Sequence, residues 1–217
     1  MLKSVWYLIR KDLLLEWREK NAFSAIVLYV LSTAFVIYQM FITTAPEVWI
    51  SLYWIVTLFA AINASARSFI NESGNTKLYF FQLVSPQAMI LSKMAFNALL
   101  MTILALLSTL IFGILLGFPL ESTGLWMLIA FVGAIGLSLT FTMISAIAAK
   151  ARNAGILMTI LGLPVIIPQM LVLVKLSKAA LMVTPISYVT KPLLGLVCID
   201  IVVFVVALLF FPYLWKD

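Results

Sequence analysis

The chain has 217 residues, of which 65% are apolar and 10% charged, against about 25% charged in an ordinary soluble domain. A water-soluble fold of this size exposes too much surface to be built from so few polar residues. That excludes a soluble enzyme, a disordered segment and a free-standing nucleic-acid-binding module, and the net charge of +6 points instead to an anionic membrane surface. With no histidine, imidazole metal ligation and His-based acid/base chemistry are absent. A single cysteine excludes an intrachain disulfide, a CxxC redox pair and a multi-Cys zinc site.

Residues 1–21 read as an amphipathic helix. Leu2, Trp6, Ile9, Leu13 and Trp17 recur every three or four positions and share one stripe, while Arg10, Lys11, Arg18 and Lys20 lie off it or at its end. Glu16 stands four residues before Lys20, a favourable helical pairing. Such a helix lies in the membrane interface, as a simple entry anchor or as a lever that also touches a cytoplasmic partner. The segment is dense in charge and runs into the first apolar stretch without a small-residue cleavage site, so no cleavable leader is expected.

Six stretches then carry the roughly 20 mostly apolar residues that a helix needs to cross hydrocarbon. They are Ala22–Ile42, Val48–Ser65, Met94–Phe118, Leu125–Ala149, Ala154–Val174 and Leu193–Leu214. Irregular backbone cannot face lipid, so the expected fold is all-α and polytopic, a single permease domain over residues 1–217. With the N-terminus in the cytoplasm, all basic residues but Lys175, Lys178 and Lys191 fall on the inner side, and the positive-inside rule places both termini there. Those three lysines suggest an extracytoplasmic anionic partner, with lipid headgroups as the plainer reading. Trp49, Trp54, Trp126, Tyr213 and Trp215 lie near span ends, where amphipathic rings prefer the interface.

Between spans two and three lies the longest hydrophilic segment, residues 66–93. Ser73-Gly74-Asn75 marks a turn. Leu78, Phe81 and Leu83–Val84 follow as a short apolar helix ending before Pro86. An apolar face on a cytoplasmic loop needs a cover. A docking partner supplies it in one reading, and ordinary hairpin packing in the other.

Inside the spans, Gly162, Pro164 and Pro168 interrupt the fifth stretch and mark a kink. Gly113 and Gly117 have a GxxxG spacing that permits close helix approach. Cys198 sits among aliphatic residues as an inert apolar group. Asp200 is the one formal charge deep in a span, about 12 Å from the outer end counted from Pro192. It is either a proton or substrate group, or a carboxylate paired with an outer-loop lysine or reached by water. No phosphate-binding loop, HExxH zinc motif or GxSxG elbow occurs.

Three stretches resemble the CcmB family, the permease subunit of the ABC transporter of cytochrome c maturation. They are RKDLLLEWREKNAF (Arg10–Phe23), the loop from Glu72 to Lys93 with its SP and SK landmarks, and KARNAGILMTILGLPVIIP (Lys150–Pro168). Glu72-Ser73-Gly74 keeps the acidic residue before a glycine that family members tend to carry, while Lys77 stands where a second acid is usual. The resemblance implies a type-2 ABC membrane subunit in the inner (plasma) membrane, non-catalytic and without a cofactor of its own. ATP is then bound by a separate CcmA-like ATPase docking on Glu72, Leu78, Phe81 and Leu83. Haem is handled by a complex that includes a CcmC-like membrane subunit and a small single-span CcmD-like subunit, with ATP hydrolysis linked to release of haem-loaded chaperone. The lipid bilayer is the other implied partner, and nucleic acid is not. Two rivals stand beside this: a type-2 permease exporting a lipid-linked glycan or drug, and a proton-coupled carrier built on Asp200, which the lack of visible repeats disfavours.

Overall fold

The computed structural model describes residues 2–19, 21–41, 44–70, 84–149, 154–182 and 185–216. Among them there are seven helices and no strand. Helix α1 spans Leu2–Glu19, α2 Asn21–Met40, α3 Pro46–Ile70, α4 Pro86–Leu116, α5 Thr123–Ala148, α6 Ala154–Ala180 and α7 Ile186–Lys216. All but α1 are long and apolar enough to cross a membrane. The chain is an all-α polytopic membrane protein with six transmembrane helices.

Several helices outrun the expected spans, because a charge ends a run of hydropathy without breaking the backbone hydrogen-bond ladder. Helix α4 starts at Pro86, not Met94, where Ser85 accepts a hydrogen bond from the N–H of Ala88 at 3.4 Å and proline occupies the first turn. Helix α6 continues to Ala180 and α7 begins at Ile186, so Lys175, Lys178 and Lys191 ride on helices rather than in a loop. Helix α6 also runs through Pro164 and Pro168 as one continuous helix. The two prolines remove donors from its ladder without ending it.

Helix α5 is the central rod. It packs on α3, α4, α6 and α7, while α2 lies outside against α3 and α4, and α1 lies along α4. Small residues let the neighbours close in. A methyl added at Gly133 would strike the Trp54 ring and Leu173, and one at Gly136 would strike the Gln169 amide and the Asp200 carboxylate. The Gly113/Gly117 pair does something else. Gly113 makes room for the ring of Phe118, and Gly117 ends α4 at φ 82° with its N–H on the Gly113 carbonyl. This pair therefore serves a helix end, not a helix crossing.

At the end of the bundle far from α1, aromatic rings fill the core. Trp49, Tyr53 and Trp54 of α3 meet Phe112 of α4 and Trp126 of α5, with the Tyr53 and Trp126 centroids 4.8 Å apart. The three tryptophans are at most 1% exposed. That corrects the expectation of an interfacial belt for them: hydropathy locates a residue's depth but not the side of the helix it takes. Trp49 Nε1 is buried without a hydrogen-bond partner among the described residues, but the other polar atoms of the cluster are satisfied within the bundle. Trp54 Nε1 donates to Ser177 Oγ (2.8 Å), Trp126 Nε1 to Thr109 Oγ1 (3.3 Å) and the Tyr53 hydroxyl to the Ala105 carbonyl (3.0 Å).

Candidate functional site

Two places in the bundle hold charge where water is scarce. The first is the seam between α1 and α4. Helix α1 turns Leu8 and Asp12 inward, both 7% exposed, while Trp6, Leu13 and Trp17 of the expected stripe face outward with Tyr7 and Leu14. The outward stripe suits an interfacial helix. The inward face is a second one, invisible to an apolar pattern because its key member is an aspartate. Lys93 Nζ, in the first turns of α4, lies 3.0 Å from Asp12 Oδ2, and both side chains are 7% exposed. Lys11 Nζ adds a contact at 3.3 Å to Asp12 Oδ1. A charge-assisted pair this buried fixes register between two elements, here α1 and the helix that begins just after the hydrophilic loop. One turn on, Glu16 Oε1 accepts from the N–H of Phe23 at 2.7 Å. That satisfies a donor at the start of α2 and ties the α1–α2 corner.

The second place is mid-membrane. Asp200 lies thirteen residues from each end of the stretch Ser187–Tyr213, deeper than its distance from Pro192 suggests, because α7 starts earlier than expected. Its partner is not a lysine. Gln169 Nε2 of α6 donates to Asp200 Oδ1 at 3.0 Å, and Thr140 Oγ1 of α5 donates to Gln169 Oε1 at 3.2 Å. Gly136 supplies the space against which carboxylate and amide pack. Gln169 follows Pro168 directly, and an amide inside an aliphatic run is the signal that could have flagged it. Closer to the α1 end, Asn97 Nδ2 donates to Thr142 Oγ1 (2.9 Å) and Ser145 Oγ to the Ser65 carbonyl (2.8 Å).

The remaining expected residues are dispersed. Gly162 is buried beside Ile166 and Phe141, while Pro164 and Pro168 face outward. Lys178 Nζ stands 3.9 Å from Glu47 Oε1, both exposed, a contact of small energetic value. Lys175 and Lys191 are exposed on α6 and α7. Cys198 is exposed on α7. Glu72, Leu78, Phe81 and Leu83 lie outside the described residues. No cluster of Cys, Asp and Glu among the described residues is arranged to hold a metal ion.

Six apolar helices threaded by a few sealed polar contacts define a multi-pass membrane protein. The model of the CcmB protein family matches residues 3–212, and the chain belongs to that family. The family provides the membrane subunit of the haem-exporting ABC transporter of cytochrome c maturation, a complex that includes an ATPase. Among curated proteins no match is found.

Proposed function

We propose that this chain is the non-catalytic half of an ATP-driven machine in the inner membrane, with both termini cytoplasmic. A CcmA-like ATPase docks on residues 66–93 through Glu72, Leu78, Phe81 and Leu83. CcmC-like and CcmD-like subunits complete the assembly that handles haem. The chain carries no cofactor of its own. Nucleotide-driven closure of the ATPase pushes the loop, and the loop pushes the start of α4. A ligand shifts such an equilibrium only by its different affinity for the two states, so the loop meets the ATPase differently before and after hydrolysis.

The observation that supports this reading best is the buried Asp12–Lys93 pair. It joins α1 to the first turns of α4, the helix the loop leads into. A push on α4 therefore carries α1 with it as one body. Pro164 and Pro168 leave gaps in the α6 ladder, where bending is cheapest. Lys175, Lys178 and Lys191 offer cations to an extracytoplasmic anion such as a propionate or a neighbouring carboxylate.

The test is co-purification. Phe81→Asp combined with Leu83→Asp should abolish recovery of the ATPase with this chain from solubilised membranes. It should also stop cytochrome c assembly while the chain itself still inserts. Recovery of an intact complex would remove the docking assignment.

A further inference from the structure

Asp200, 8% exposed, has one oxygen on Gln169 and lines the floor of an apolar groove of about 250 Å³. Val132, Ile135 and Leu139 of α5 form one wall, and Val197, Ile201 and Phe204 of α7 the other. Further along the same two helices, between Met143 and Phe210 and with Ile90 of α4 at its side, lies a second apolar hollow of about 170 Å³. From Val132 to Ile147, the run along α5 is about 22 Å, the greater part of a bilayer's hydrocarbon. Ile201 is 55% and Phe210 61% exposed, so no described residue of this chain covers it.

A carboxylate in such a wall is costly unless paired. Among the described residues no Lys or Arg pairs with Asp200. Lys191, on the same helix, stands nine residues away, about 13 Å along the axis. We propose that this groove is the seat of a transmembrane helix from a different subunit, one that brings a lysine or arginine to the depth of Asp200. The polar relay supports it. Thr140 donates to the Gln169 carbonyl, which turns the Gln169 amide nitrogen toward Asp200 and holds the carboxylate as an acceptor. An acyl chain fills the length of the groove but offers no donor. A second copy of this chain offers none either at that depth. Within its six apolar spans the basic residues are Lys93 toward one end and Lys175, Lys178 and Lys191 toward the other. Charge complementarity thus selects a heterologous helix. The inference rests on the chain working within a multi-subunit assembly, and not on which cargo that assembly moves.

The test is photocrosslinking in native membranes holding the whole complex, with benzoylphenylalanine placed in turn at Ile135 and Ile201, one on each wall. The expected adduct joins either position to a transmembrane helix of another subunit, within one turn of a basic residue. Asp200→Asn keeps the shape and the Gln169 contact but removes the charge. It should lower adduct yield about tenfold or more, the loss expected when one member of a buried charge pair is truncated. Asp200→Lys should restore the yield when the partner's basic residue is changed to aspartate. Adducts only to lipid, only to a second copy, or to a helix without a basic residue would overturn the proposal. So would an undiminished yield in Asp200→Asn. None of these outcomes depends on ATPase docking, so the two readings fail separately.

Discussion

Asp12 and Lys93 stand 3.0 Å apart at the edge of the bundle, each 7% exposed, and a pair so enclosed is more sensitive to losing one member than to losing both. Lys93→Ala leaves a buried carboxylate with only the partly exposed Lys11 beside it, a cost of about 3 kcal/mol, at the low end for a broken buried pair. Asp12→Ala removes the same contact from the lysine side, where Lys93 is as buried as its partner. The double replacement by alanine should recover part of that loss, and Asp12→Lys with Lys93→Asp more of it. Thermal unfolding in detergent, followed by circular dichroism, measures all four, and equal destabilisation by single and double variants would dissolve the pair as a unit. Gly136 is as constrained as the charges. Any side chain there meets Gln169 and Asp200, and overpacking of this kind costs about 1–3 kcal/mol. Gly136→Leu should lower the unfolding midpoint in the same assay, whereas Gly124→Ala, where an added methyl meets nothing, should leave it unchanged.

Helices carry their own predictions. Helix α1 has two working faces, one turned to α4 through Leu8 and Asp12 and an apolar one turned to the surroundings, and only the outer one shows in an apolar pattern. Trp6 and Trp17 are 64% and 77% exposed, whereas Trp49, Trp54 and Trp126 are sealed. Brominated lipid should therefore quench the first two strongly and the buried three weakly. In a background with Trp215 replaced by phenylalanine, the further replacement of Trp6 and Trp17 by phenylalanine should remove most of the quenchable emission, and an unchanged quenched fraction would mean that α1 lies off the membrane. Helix α6 tests the bend. Pro164→Ala with Pro168→Ala restores two backbone donors. If the gaps absorb a power stroke, the variant should keep the ATPase bound yet fail in cytochrome c assembly, and normal assembly would make the prolines packing residues only. The existence of these helices was legible in the sequence, because twenty apolar residues in a row have few alternatives. Their ends and facings were not. Lys93 reads as one more loop cation until Pro86 and Ser85 are seen to start α4 before it. Trp49 reads as an interface residue until its ring is seen against Tyr53 and Trp126. Asp200 was legible as an unusual charge, but its partner lies thirty-one residues away on another helix, a distance that no local spacing encodes.

On the scale of the whole molecule, the bundle is graded along its axis: rings at one end, the Thr140–Gln169–Asp200 relay at the centre, the Asn97–Thr142 contact and the Asp12–Lys93 pair at the other. The gradient has a direction relative to the membrane only if the positive-inside bias sets it. Lys175, Lys178 and Lys191 oppose that bias from the helix ends, and basic residues close to the span ends are the ones that weigh most in it. Helix α1 counters them with Arg10, Lys11 and Arg18 held at the surface beside the first span, and Lys93 at the start of the third adds to the same side. Accessibility to a membrane-impermeant maleimide decides the matter. With Cys198 replaced by alanine, Ser4→Cys on exposed α1 should label only in inverted vesicles. Thr190→Cys, exposed near the start of α7, should label only in intact cells. The reverse pattern would put the ring-filled end in the cytoplasm and the α1–α4 seam outside, beyond the reach of any ATP-driven partner.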